Sequence, residues 1–151
     1  GRIVLADGLI LAGETNAHTI IDAATLTGAA CVALGDHYNA LFTMDDQLAQ
    51  KLDNIGTANY DPMWRLPLEN FHQDNCPSDY ATTANSKPQP GGGIGGASNA
   101  AGFLSRFVDV ENKKWAHLDL AACFKGSGDT LFSAGATGRG IRSITSFLLE
   151  Q

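Results

Sequence analysis

The sequence predicts a mixed α/β fold: one sheet with helices on its faces. Helix-spaced and strand-like segments alternate along the chain, the order expected of a layered α/β protein. Hydrophobic residues make up 44% and charged residues 17% of the 151 positions, enough for a sizeable core in one domain. The 17 glycines suit a compact, loop-rich chain better than a coiled coil or a disordered tail.

The first segment, "GRIVLADGLILAG", carries Ile3, Ala6, Leu9 or Ile10, and Gly13 every three to four residues. That spacing predicts a helix with one face on a core, ending near Gly13. "ETNAH" turns the chain, and "TIIDAATL" reads as a buried strand, short, apolar and β-branched, closed by the small residues "TGAA". "CVALG" and "YNALFTM" are two further short strand candidates. Asp45 suits the cap of a helix whose Leu48, Leu52 and Ile55 form an i, i+4, i+7 stripe before Gly56 stops it. "WRLPLENFHQDNCPSDY" is mixed, with a short helix between prolines. "TTANSKPQPGGGIGGAS" is the longest stretch without a core pattern. Ala97, Ala100, Ala101, Leu104 and Val108 mark a helix with small residues on one side. "WAHLDLA" follows as a strand and "CFKGSGDTLFSAGATG" as a long loop. Residues 139–149 form a closing helix on Ile141, Ile144 and Leu148. No internal repeat is visible.

The totals exclude several classes of function. A net charge of −6 argues against a broad nucleic-acid surface, which needs clustered cations to neutralise phosphates. Lys113-Lys114 is the only adjacent basic pair and reads as a solvated turn. No span approaches the roughly 20 apolar residues that cross a bilayer. Arg2, Asp7 and Glu14 mark the first helix as neither anchor nor signal peptide. Cys31, Cys76 and Cys123 are odd in number and widely spaced, which suits free thiols in a reducing cytosol. A cytoplasmic protein is expected.

Among the motifs, "PGGGIGGAS" invites a phosphate-loop reading, because glycines let backbone N–H groups approach an anion. Prolines precede it, however, and no lysine closes it, so a site-lining or interface loop is the better reading. His117 and Asp119 alternate on one face of "WAHLDLA". They could share a metal or act as a catalytic pair, or form a buried polar pair satisfied by neighbouring backbone. His18, His37 and His72 are isolated, and surface or turn positions account for them. "DAATLTGAA" ends a strand in Thr25, Leu26, Thr27 and Gly28, where open α/β sheets bind ligands. Gly28 would let a substrate backbone come close. A peptide- or anion-binding edge and a tight turn packed into the core both fit this segment.

Taken in order, "GRIVLADGL", "IIDAATLTGA", "WRLPL", "WAHLDLA" and "SAGATGRGIR" settle the choice. From Gly1 to about Leu149 the chain resembles the carboxyl-terminal part of the catalytic domain of the leucine aminopeptidase family, the two-metal cytosolic aminopeptidases. "FHQDNCPSDYA" and the closing segment are most similar to the peptidase B branch from bacteria. In that family "GR" ends the signature Asn-Thr-Asp-Ala-Glu-Gly-Arg, whose acidic residues bind the two metal ions. The other carboxylates, a metal-binding lysine and a catalytic lysine lie further upstream. The resemblance therefore implies that residues 1–151 are the C-terminal part of the catalytic domain, without its metal-binding segment.

It also implies roles for single residues. Arg2 matches the arginine that holds a bicarbonate ion, the family's proton shuttle for the attacking water. A guanidinium suits this role, because its planar fork pairs with two oxygens of a planar anion. The backbone of Gly1 and Leu26 would complete that pocket. Thr25, Leu26, Thr27 and Gly28 match the segment that orients the substrate main chain. Ala121 and Phe124 match positions lining the pocket for the first side chain, with Phe124 at a variable position where it could narrow that pocket. The implied cofactors are two divalent metal ions, manganese or zinc foremost, and bicarbonate. No metal ligand is expected within this chain. Peptide substrates, a hexameric homo-oligomer and the N-terminal portion of the same enzyme are the implied partners. Residues 1–151 alone are expected to be inactive. A non-catalytic assembly fragment of the hexamer is the alternative, but such a chain need not preserve Arg2 and the "TLTG" edge. A nucleotide-binding module rests on the glycine tract alone and lacks the phosphate-directed lysine.

Overall fold

The computed structural model describes residues 1–86, 93–123, 126–128 and 133–150. In chain order the elements are α1 (Arg2–Gly13), β1 (Thr19–Ala24), α2 (Gly28–Leu34), β2 (Asn39–Phe42), α3 (Asp46–Ala58), β3 (Met63–Arg65), α4 (Phe71–Asp74), α5 (Gly96–Ser105), β4 (Lys114–Asp119), a 3₁₀ turn (Ala121–Cys123) and α6 (Ile141–Leu149). The strands form one mixed sheet in the order β1-β4-β2-β3. β4 runs parallel to β1 and antiparallel to β2, while β2 and β3 are parallel.

Alternation along the strands divides the core in two. Ile20, Ala40, Phe42 and Trp115 face one side, where they pack with Ala6 and Leu9 of α1 and Ala97, Ala101 and Leu104 of α5. Leu41, Met63, Ala116 and Leu118 face the other side, against Leu48, Leu52 and Ile55 of α3 and Phe147 of α6. The expected stripe of α3 is thus its buried face. Asp45 caps that helix as expected, its Oδ1 accepting from the Leu48 amide at 2.8 Å.

Five expectations are corrected. "CVALG" is not a strand but the body of α2. Thr27, in extended conformation, accepts from the Ala30 amide at 3.1 Å, and the alanines that follow favour a helix. Gly56 does not stop α3, which continues to Ala58. Its lack of a side chain serves a close approach instead: a Cβ there would lie 2.8 Å from the Asp61 carbonyl oxygen. The buried face of α1 is narrower than its spacing suggests, since Ala6 and Leu9 are buried while Ile3 and Ile10 are exposed. On α6, Ile141 and Leu148 face solvent, and Ser143 and Phe147 point inward. A polar residue takes the inner position because the Ser143 hydroxyl donates to Asp61 Oδ2 at 2.9 Å. β3 was not expected at all, being three residues long at a sheet edge. The short helix expected beside it is α4.

Lys113 and Lys114 sit where a solvated turn leads into β4, as expected, and Lys113 Nζ donates to the carbonyls of Thr15 and Ala17, closing the turn between α1 and β1. The register pairs Ala24 with Asp119, and Asp119 with Ala40. The carboxyl ends of β1 and β4 and the start of β2 therefore open on one edge of the sheet.

Candidate functional site

At that edge the chain leaves β1 through Thr25 and Leu26, and Thr27 caps α2, whose first residue is Gly28. Thr25 and Gly28 are exposed, Leu26 is half-buried and Thr27 is buried. A Cβ on Gly28 would meet nothing within 4 Å, so the approach to its backbone is open. Ala121, half-buried, starts the 3₁₀ turn that follows β4. Phe124 lies outside the described residues.

One carboxylate joins these two segments. Asp119, the last residue of β4, is fully buried. Its Oδ1 accepts from the backbone amides of Leu26 at 2.9 Å and Ala121 at 3.1 Å. Its Oδ2 accepts from the Thr27 hydroxyl at 2.6 Å, while that hydroxyl oxygen accepts from the Ala30 amide. The Leu120 amide donates to the Ala24 carbonyl at 2.8 Å and adds a main-chain tie.

His117 does not join Asp119. Its Nδ1 faces Asp22 Oδ1 at 2.5 Å, across the β1–β4 register, and Trp115 Nε1 donates to Asp22 Oδ2 at 2.8 Å. Of the two arrangements open in the sequence, the shared pair is excluded: each of the two residues has its own partners. His117 Nε2 is buried and has no hydrogen-bond partner among the described residues. Asp22 was not singled out in the sequence. An acidic residue inside an apolar strand is its one signal, because a buried carboxylate demands donors.

A second buried carboxylate, also missed, organises the neighbouring ground. Asp61 accepts from the amides of Gly140 and Ser143, the Ser143 hydroxyl and the Asn39 side-chain amide. Asn39 Oδ1 in turn accepts from the Cys123 thiol at 2.7 Å. Burial pushes the Cys123 thiol up to about 11. Burial also raises the half-buried Cys31 thiol, with the charge of Asp119 adding to the effect. Cys31, Cys76 and Cys123 form no disulfide with one another.

Gly1 and Leu26 are neighbours, since a Cβ on Gly1 would lie 3.5 Å from Leu26 Cδ1. The Leu26 amide is committed to Asp119, so a ligand reading Leu26 through its main chain meets the carbonyl instead. Arg2 opens α1 and its Nη1 donates to the Asn85 carbonyl at 2.8 Å. Its Nε is buried without a partner among the described residues. His18 and His37 are exposed as expected, but His72 is buried. The His72 ring accepts from the Glu69 amide at 2.9 Å and packs on Phe71. In the described part of the glycine tract, Gly93, Gly95 and Gly96 line a cavity of about 330 Å³ with Ala29, Val32 and Ala97. Positions 91 and 92 lie outside the described residues.

A groove of about 780 Å³ lies at the opposite end of the sheet against His18, Asp45 and Lys114. Lys114 there pairs with Asp45 at 3.4 Å. Among the described residues no group of three or more His, Cys, Asp or Glu side chains could hold a metal ion. Nor is any helix among them long and apolar enough to cross a membrane.

The model of the cytosol aminopeptidase family, catalytic domain, matches residues 1–145. The chain is 50% identical over 151 residues to Peptidase B of Yersinia pestis (strain Pestoides F) and to Peptidase B of Yersinia pseudotuberculosis serotype O:3 (strain YPIII). Each alignment covers all of this chain and 34% of the relative, so the chain spans about a third of the length of the curated relatives it matches. Among solved structures it is similar to a tomato leucine aminopeptidase mutant, with a TM-score of 0.87 and 37% identity over 99% of this chain and 28% of that one. It is also similar to the bottromycin maturation enzyme BotP, with a TM-score of 0.89 and 37% identity over 98% of this chain and 32% of that one.

Proposed function

This chain belongs to the cytosol aminopeptidase family, and from that membership we propose that it supplies the substrate edge of a metal-dependent aminopeptidase, which releases N-terminal amino acids from peptides. The observation that carries this reading is the family match over residues 1–145. The open edge at Thr25–Gly28, tied to Ala121 through Asp119, supports it.

In this reading Thr25, Leu26, Thr27 and Gly28 orient the substrate main chain, because an exposed strand end offers backbone groups that no neighbouring strand takes. Ala121 and Phe124 line the pocket for the first side chain. Arg2, beside Gly1 and Leu26, holds a bicarbonate ion, which supplies a proton acceptor for the attacking water when bound. The unpartnered Nε–H of Arg2 supports the fit, since one edge of the guanidinium remains for a planar anion while Nη1 is engaged with Asn85. The described residues do not fit a metal centre. From the resemblance to the family, two divalent ions, manganese or zinc, are assigned to the N-terminal portion of the same enzyme, with residues 1–151 forming the C-terminal part of its catalytic domain. The enzyme acts in the cytoplasm as a homo-oligomer, a hexamer.

The alternative is a non-catalytic assembly fragment, and the exposed Ile3, Val4, Ile10 and Leu11 of α1 favour it. Hydrolysis of leucine amide separates the two. We expect no turnover from residues 1–151 with manganese or zinc, and turnover once the N-terminal portion is supplied. Metal-dependent turnover by the 151-residue chain alone would overturn the division of labour. Oligomer formation with no bestatin binding, even in the presence of the N-terminal portion, would establish the assembly role instead.

A further inference from the structure

We propose that Asp119 is a positioning residue of the peptidase reaction: its one buried carboxylate sets the main chain of Thr25–Gly28 relative to the pocket wall at Ala121. The inference rests on the reading of these two segments as substrate-binding.

The geometry singles out this side chain. Three donors converge on it: the Leu26 amide at 2.9 Å, the Ala121 amide at 3.1 Å and the Thr27 hydroxyl at 2.6 Å. Two of them, Leu26 and Thr27, lie 93 and 92 residues away in the chain, so the contacts are tertiary and not a local turn. Asp119 is fully buried, and among the described residues no Lys, Arg or His pairs with it. A buried carboxylate without a counter-charge is a costly way to gain stability alone. What it provides is acceptor capacity for all three donors at once.

An asparagine of the same shape changes this. With its NH2 toward Leu26 and Ala121 it would face two donors. With its NH2 toward Thr27 the hydroxyl would have to turn its hydrogen away and accept from both the new side chain and Ala30, so Thr27 would no longer donate to this side chain. The carboxylate therefore fixes three things together: the path of Leu26, the rotamer of Thr27 that caps α2, and the start of the turn at Ala121. A substrate laid along Thr25–Gly28 with its first side chain against Ala121 would touch both segments and not Asp119. The residue acts through them.

The test begins with the unmodified complete enzyme, where amide hydrogen exchange should show Leu26 and Ala121 protected although both lie outside the strands. Unprotected exchange at both would overturn the proposal without any variant. Next, Asp119→Asn is compared with Asp22→Asn in the complete enzyme. Asp22 serves as the control because its partners, His117 and Trp115, are none of the proposed substrate-binding residues. We expect Asp119→Asn to speed exchange at Leu26 and Ala121 and to lower kcat/KM for peptides by about 10- to 100-fold, with kcat falling more than KM rises. Asp22→Asn should lower the melting temperature and leave kcat/KM within about 2-fold. If Asp119→Asn fails to fold, Thr27→Val removes a single donor from the same carboxylate and should give a smaller loss of the same kind. A folded Asp119→Asn with lower thermal stability and unchanged kcat/KM would make the carboxylate structural only and overturn the proposal. An unmodified complete enzyme without aminopeptidase activity would overturn the functional reading and the positioning role with it, while the exchange data would still report whether the clamp exists.

Discussion

Cys123 shows what burial does to one titrating group. Its thiol, held against Asn39 in the core, titrates at about 11 against an ordinary value of 9.0. Between those values the folded chain binds more protons than the unfolded chain, so stability is full below pH 9 and falls as pH rises toward 11. The expected loss is on the order of 2–3 kcal/mol. Urea titrations at pH 8 and pH 11 would measure it, and Cys123→Ala should flatten the slope. Cys31, raised in the same direction, accounts for part of what remains. At the same scale, Asp22→Ala leaves Trp115 Nε1 and the His117 ring without their acceptor. A cost of about 1–3 kcal/mol per stranded group is expected and would appear as a lower denaturation midpoint. Neither partnership could be read from the sequence. A carboxylate in an apolar strand shows that donors are required but not which ones. Strand alternation sets His117 beside Asp119 on one face, whereas the β1–β4 register brings Asp22 to His117 and leaves Asp119 to backbone amides and Thr27.

Elements whose own residues decide their state were legible. The stripe of α3, the cap at Asp45 and the apolar strands β1 and β4 all follow from local pattern. The cap has a pH signature. Its hydrogen bond to the Leu48 amide, helped by Lys114, holds the Asp45 carboxyl below its ordinary 3.8. That contribution is present above the unfolded value and is lost as pH falls through the folded one. Asp45→Ala should cost about 0.5–2 kcal/mol at pH 7, and the difference should shrink in acid denaturation. Elements set by tertiary contact were not legible. A run such as "CVALG" suits strand or helix, and only the Thr27 cap decides it. Likewise the small residues of α5 mark close packing without naming its partners, which are α1, α2 and α4. A Cβ on Gly102 would lie 2.6 Å from the His72 carbonyl carbon, so Gly102→Ala should destabilise by about 1–3 kcal/mol, measurable as a fall in melting temperature.

Over the whole molecule, one sheet carries both halves of the core, and β4 pairs with β1 on one side and β2 on the other. Leu118, fully buried on β4, packs on the α3–α6 side, while its strand neighbour His117 faces the other. Leu118→Ala should therefore cost about 2–5 kcal/mol and still unfold in a single transition by circular dichroism and tryptophan fluorescence alike. The layered α/β class was legible because alternating helix and strand patterns allow few other packings. The candidate site was legible only as separate segments. "TLTG" and Ala121 could be named from the family's motifs, but the atom that joins them is contributed by a strand end far along the chain. That junction has a bearing on redesign. A library that moves the backbone at Ala121 also pulls, through a single carboxylate oxygen, on the main chain at Leu26. On the proposed reading of these two segments, selectivity is easier to change by exchanging side chains around a fixed Asp119 than by remodelling the loop, and substitutions at the two segments should be inherited as pairs.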